Sequence, residues 1–324
     1  MIAAALYRST RLTAGALLLM AALGGCASLV PQTMALREAW PAGVPARVEF
    51  ADVPFFPQQD YQCGPAALAT ALVHAGVKIT PDELVEQVYL PARQGSLQVE
   101  MLAAPRRYSL VSYRLAPRFD DLLRELAAGN PVIVLQDIGQ GFTVKWHYAV
   151  VVGYDYAAGE LYLRSGETRR LAVPFTVLEY TWKKSNYWAM VVMPPGRISA
   201  TAAESAYLPA IAAMERVGNA RATLSAYAAF LDRWPDNAGA SIGLANQYHA
   251  LGELKDAEAV LRRAAERHPG SVAVLNNLAQ ALSDQGRNAE ALTFIERAAQ
   301  PDSPFAAAVR ETRASILQRL EKKR

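Results

Sequence analysis

Gln62-Cys63-Gly64-Pro65-Ala66-Ala67-Leu68 decides the reading of this chain, because it places a cysteine on the first turn of a helix. Leu68 and Leu72 recur four apart, and Pro65 sits in the first turn, where a missing N–H costs little, so a helix is predicted from Cys63 to about Ala75. A thiol there meets unpaired backbone N–H groups and the positive end of the helix dipole. Both favour thiolate, so the position predicts a pKa below the free value of about 8.5. The chain has only two cysteines, and the other, Cys26, directly follows an apolar stretch near the N-terminus. If Cys26 is consumed there, Cys63 has no disulfide partner, and a lone thiol in an oxidising compartment is a liability unless it is used.

A nucleophilic thiol needs an imidazole to take its proton and return it to a leaving group. The sequence has four histidines. His74 lies 11 residues beyond Cys63 on the same predicted helix. That is about 16 Å along the axis, too far to share a proton, and a C-terminal capping role suits it. His249 and His268 fall in a separate C-terminal region. His147 remains, near the start of the β-rich run Trp146-His147-Tyr148-Ala149-Val150-Val151-Val152-Gly153-Tyr154. Elimination pairs Cys63 with His147.

Around this pair the chain reads as α+β. Thr80-Pro81-Asp82-Glu83 is a capping box with Pro at the first helical position, opening a helix to about Tyr89. Asp120–Ala128 reads as another helix, closed by Gly129-Asn130-Pro131. Strands follow at 132–135, 146–154, 161–163 and 187–192, with a hairpin turn over Asp155–Gly159. Helices first and antiparallel strands after them predict helices gathered to one side of a sheet.

The Cys63 and His147 blocks, with Gln58 upstream and Asp155 downstream, resemble the papain-like cysteine peptidases that process double-glycine leaders of bacteriocins, and most of all their secreted, stand-alone relatives. The resemblance covers about 48–193. It implies an α+β papain-like domain, Cys63 as nucleophile and His147 as general base and then acid. It also implies a glutamine upstream of the cysteine that lines the oxyanion hole with the Cys63 N–H. Gln58 and Gln59 are the candidates; the family position falls on Pro57, so Gln58 is preferred with a one-residue slip. The family's third residue is an Asp after the histidine strand, and Ser165 stands there in Leu163-Arg164-Ser165-Gly166-Glu167. Counting across the hairpin brings residues near 167 opposite His147, so Ser165 or Glu167 is expected to orient the ring. Asp155 reads as a turn residue.

The ends of the chain carry different signals. Arg8 and Arg11 precede the apolar run Leu12–Leu23, too short to span a bilayer, and Gly24-Gly25 then lead to Cys26. This resembles a bacterial lipoprotein signal over residues 1–25. It implies a lipid on Cys26 and, with Ala27-Ser28 following, transfer to the outer membrane, facing the periplasm. Residues 26–47, with Pro31, Pro41, Gly43 and Pro45, are expected to be a lipidated tether, and 194–203, opening on Pro194-Pro195-Gly196, a linker. Beyond it Gly218, Gly252 and Gly286 recur every 34 residues. Pro235/Pro269, Leu244/Leu278, Ala245/Ala279, Ala257/Ala291 and Ala264/Ala298 keep the same interval. The period resembles the tetratricopeptide repeat over 204–303, with a degenerate first copy carrying Ala210, Ile211 and Met214, and a closing helix within 304–324.

Removing residues 1–25 lowers the formal charge from +3 to +1, which gives no electrostatic reason to invoke nucleic acid. No His/Cys cluster has metal-ligand spacing, and no cofactor motif is present. The expected function is an envelope-anchored cysteine peptidase acting on a peptide or protein through a thioester. Its repeats would bind substrate or an envelope protein partner. The alternative is a scaffold lipoprotein of the same fold that has lost turnover.

Overall fold

The computed structural model describes residues 29–57 and 62–322. Residues 1–25, read above as resembling a lipoprotein signal, and Cys26, Gln58 and Gln59 lie outside the described residues. Two compact units form: residues up to Ala104 with Arg114–Val192, and Pro105–Tyr113 with Met193 onward. Among the described residues no helix is long and apolar enough to cross a membrane.

In chain order the elements begin with α1 (Pro31–Glu38), β1 (Arg47–Glu49), α2 (Cys63–His74), α3 (Pro81–Val88), α4 (Gln98–Ala103), β2 (Val111–Arg114) and α5 (Phe119–Ala127). There follow β3 (Val132–Asp137), β4 (Trp146–Asp155), β5 (Glu160–Ser165), β6 (Thr168–Pro174), α6 (Phe175–Trp182) and β7 (Ala189–Met193). The α+β order read from the sequence is what forms. The first unit's sheet is antiparallel, with neighbours β7-β3-β4-β5-β6. β3 covers β4 from Trp146 to Val151, and β1 takes over at Gly153–Asp155. Gly153 permits that approach, since a Cβ there would lie 2.3 Å from the Val48 carbonyl oxygen. β3 is buried at every position, and the core joins its Val132–Val134 to Leu68 and Leu72 of α2 and Ala149–Val152 of β4.

The described part of 26–47, expected as a lipidated tether, is packed against the domain. Pro31–Glu38 is helical, with Thr33 and Leu36 buried. The reason is distant in sequence. Fully buried Glu179 of α6 accepts the N–H groups of Gln32 (2.9 Å) and Thr33 (2.6 Å), the orphan donors of that helix start. The Gln32 side chain also donates to the Pro117 carbonyl (3.1 Å) and accepts the Phe119 N–H (2.5 Å). The Trp40 ring packs against Tyr156 (4.4 Å between centroids) and Tyr154 (5.6 Å).

The second unit holds α7 (Glu204–Ala212), α8 (Ala220–Arg233), α9 (Ala238–Ala250), α10 (Leu254–Arg267), α11 (Val272–Asp284), α12 (Asn288–Ala298) and α13 (Ala306–Glu321). The 34-residue period has a backbone cause: Gly218, Gly252 and Gly286 all take left-handed φ, at +84°, +77° and +80°, where the chain reverses between helices. Asn237 and Ser271, also 34 apart, cap α9 and α11. The small residues at the same interval, Ala245/Ala279, Ala257/Ala291 and Ala264/Ala298, are buried at the helix contacts.

Candidate active site

Cys63 is the first residue of α2 and is half-buried. Gly64 follows it because the neighbouring loop comes in close: a Cβ on Gly64 would lie 2.2 Å from Ser96 Oγ and 2.6 Å from Ser96 Cβ. The same loop is held on its other side, where the Tyr148 hydroxyl donates to the Ser96 carbonyl (3.2 Å). Tyr148 also bears on the cysteine electrostatically: its backbone N–H, with those of Gly64 and Cys63, favours the charged form of the thiol. The donors that act on the sulfur thus come from the start of α2 and from the residue next to His147.

His147 lies near the start of β4, opposite Gln136 of β3. Its Nε2 is 2.8 Å from Ser165 Oγ. β5 reaches the ring because a bulge between Val151 and Gly153 shifts the β4–β5 register by one. At Ser165 the strand ends, and Gly166, at φ +56°, turns the chain into β6. Glu167 is left in that exposed turn. Of the two residues expected to orient the imidazole, the structure brings Ser165 onto it. Asp155 accepts the Ala158 N–H at 3.0 Å, the hairpin-turn role read for it.

The electrostatics differ from the activated thiolate expected. Burial pushes the Cys63 thiol up; the N–H groups of Tyr148, Gly64 and Cys63 and the charge of Lys145 pull it down without offsetting this. Burial, and then Lys145, push His147 down to about 4. The helix terminus acts in the direction foreseen, but desolvation of the charged form is the larger effect. Both shifts favour the uncharged forms at neutral pH, a thiol on Cys63 and a neutral imidazole on His147.

Two residues that sequence reading passed over shape this region. Arg164, buried beside Ser165, donates to the carbonyls of Phe50 (3.0 Å) and Val53 (3.2 Å) and so ties β5 to the segment that leads toward Cys63. Asp137 accepts the N–H groups of Gly139 and Lys145, both at 2.9 Å, and pairs with Lys184 at 3.1 Å, pinning the β3–β4 loop just before His147. Burial raises the Asp137 carboxyl, but these donors and the Lys184 charge hold it below its ordinary value. An arginine inside an apolar strand and an aspartate at a strand end were the available signals. The remaining histidines have local partners: His74 the Gly129 carbonyl (3.2 Å), His249 the Asp284 carboxylate (2.9 Å) and His268 the Asp236 carbonyl (2.7 Å). Among the described residues no group of three or more His, Cys, Asp or Glu could hold a metal ion.

A sheet-backed helix with a cysteine on its first turn, and a histidine on the strand beside it, defines the class of papain-like thiol folds. Residues 50–189 match the model of the Peptidase_C39 like family, and residues 213–272 and 248–307 match the tetratricopeptide repeat. The chain thus joins a Peptidase_C39-like domain to C-terminal tetratricopeptide repeats. Among solved structures it is similar to a Bacillus anthracis protein described as a C39-like peptidase, at 16% identity and a TM-score of 0.38, over 48% of this chain and 100% of that one. It is also similar to the peptidase domain of Streptococcus ComA, a bi-functional ABC transporter of a quorum-sensing pathway, at 21% identity and TM-score 0.36, over 44% and 98% of the two chains. The chain is also similar to the TPR2B domain of yeast Sti1 in a pHsp70 complex, at 19% identity and TM-score 0.32, over 33% and 90% of the two chains. A search of curated proteins gave no match.

Proposed function

We propose that this chain is a cysteine peptidase held at the cell envelope by a lipid on Cys26, facing the periplasm from the outer membrane, with repeats that bind a protein substrate or partner. The observation that supports the catalytic reading is the His147 imidazole held through Nε2 by Ser165 Oγ (2.8 Å) on β4, the strand against which α2, with Cys63 on its first turn, packs. With Nε2–H donating to Ser165 Oγ, Nδ1 is left as the base. The Cys63 sulfur attacks the scissile carbonyl carbon as its proton passes to Nδ1. The oxyanion meets the Cys63 N–H and, in this reading, the side chain of Gln58. Collapse breaks the C–N bond, and the imidazolium gives its proton to the departing amine, leaving a thioester. Water activated by His147 then hydrolyses the thioester and restores the thiol.

Because the resting pair is neutral, proton transfer accompanies attack rather than preceding it. That feature, with a serine in place of a carboxylate, favours a second reading in which the domain binds peptides and turns over slowly or not at all. Comparing cleaved envelope proteins between wild-type cells and cells carrying Cys63→Ala separates the two. Loss of specific cleavage products in the variant supports the peptidase, and identical cleavage patterns with the repeats still binding a partner support the scaffold.

A further inference from the structure

Leu29 opens the described chain at a surface of distinct character. Its carbonyl accepts from Lys183 Nζ, and the helix behind it is fixed by Glu179 and Gln32. Around it Leu29 is 47% exposed, Val177 49% and Tyr180 45%. Val177 and Tyr180 lie one turn apart on α6, and the ammonium groups of Lys183 and Lys184 sit 5.6 and 5.2 Å from the centre of the Tyr180 ring. The acid of this stretch, Glu179, is fully buried and committed to α1. Lys184 is paired with Asp137, so the exposed surface is apolar and aromatic with Lys183 as its basic group.

Cys26 precedes Leu29 by three residues. Fully extended at about 3.3–3.6 Å per residue, they span on the order of 10 Å. We propose that the patch formed by Leu29, Val177, Tyr180 and Lys183 rests on the membrane interface, with Lys183 against anionic headgroups; this rests on the Cys26 anchor. A lipid so close to a docked helix leaves the domain little freedom to turn away, and the surface it must present has the composition that an interface favours: an amphipathic aromatic ring at headgroup depth and a lysine that reaches anionic lipid. The same short reach keeps the patch at high effective concentration beside the bilayer, so each contact need only be weak. In consequence the peptidase-like domain is held in one orientation on the membrane rather than swinging on a long tether.

The test uses the mature full chain, purified from membranes and reconstituted into vesicles of phosphatidylglycerol and phosphatidylethanolamine containing a headgroup-nitroxide lipid. In a Cys63→Ala background, a fluorophore is placed at Val177→Cys or at Glu86→Cys, an exposed position on α3, which packs on α2. The expected result is loss of most emission at position 177 and little loss at 86. Adding Tyr180→Ser and Lys183→Ser should restore most of the emission at 177, while the mass of the mature chain still shows the diacylglycerol. Equal quenching at both positions in a lipidated chain overturns the proposal and leaves the anchor standing, as a patch reserved for a protein partner would require. A mature mass without lipid overturns the anchor and the proposal with it.

Discussion

Cys63 and His147 carry opposite shifts with one cause, and their pH behaviour follows. The Cys63 thiol is pushed above its ordinary value by burial. Alkylation by iodoacetamide is expected to climb through pH 9 without a plateau between pH 6 and 8, since only thiolate reacts. A plateau in that range would mean an ion pair already formed in the resting protein. His147 is lowered from 6.5 to about 4, so the unfolded chain takes up its proton first as pH falls. Stability from this group is fully present above pH 6.5 and is lost as pH drops toward 4, by at most about 3 kcal/mol, less for the part of the ring that water reaches. Denaturant midpoints of wild type and His147→Gln check this: the variant should lose much of the slope between pH 6.5 and 4. Ser165→Asp puts a carboxylate where the hydroxyl now lies, 2.8 Å from Nε2, and should raise the imidazole pKa as an opposite charge does. The loss of stability that His147 causes between pH 6.5 and 4 should then shrink, because the folded pKa moves toward the unfolded one, and turnover should hold or rise. An imidazole resonance that titrates unchanged in Ser165→Asp would show that this contact does not govern the ring.

At the scale of elements, packing explains both what the sequence disclosed and what it withheld. α2 and α3 were legible because their signals are local: a four-residue apolar spacing, and a capping box in which the Glu83 carboxylate receives the N–H and hydroxyl of Thr80, each at 2.8 Å. Ser165 was legible through its match to the family's acid position, while counting across the hairpin pointed nearer to 167 and the bulge in β4–β5 was not legible. α1 was hidden because its helix start is satisfied by Glu179, 146 residues from Thr33. β6 was hidden because it is an exposed edge strand rich in arginine, without apolar alternation. The role of Gly64 likewise appears only in three dimensions. Gly64→Ala should cost about 1–3 kcal/mol by forcing Ser96 away, and Ser96→Gly in the same chain should recover much of it. Chemical denaturation of the four members of that cycle measures the coupling; additive losses would mean that the two positions do not meet.

On the scale of the whole molecule, chain order and compact units do not coincide. Pro105–Tyr113 lies within the span that matches the peptidase family yet belongs to the unit of the repeats. Its contribution is specific. The Tyr113 ring lies 5.0 Å from that of Tyr207, which is fully buried on α7, and the Tyr113 hydroxyl accepts the N–H of Ala203, the residue that caps that helix (3.3 Å). The first repeat is the degenerate one, so it has the least neighbour packing of its own to fall back on. Residues 193–322 expressed alone should therefore be soluble and helical, because α9 to α13 stack in order, while α7 frays. Hydrogen exchange reads this directly: amides of α7 should exchange markedly faster in the fragment than in the full chain, and those of α11 should be protected in both. Tyr113→Ala in the full chain should reproduce the α7 pattern, at a cost of about 3 kcal/mol for an aromatic ring lost from a packed site. Equal protection of α7 in the fragment and the full chain would show that the repeats close on themselves and that the inserted segment adds nothing to them.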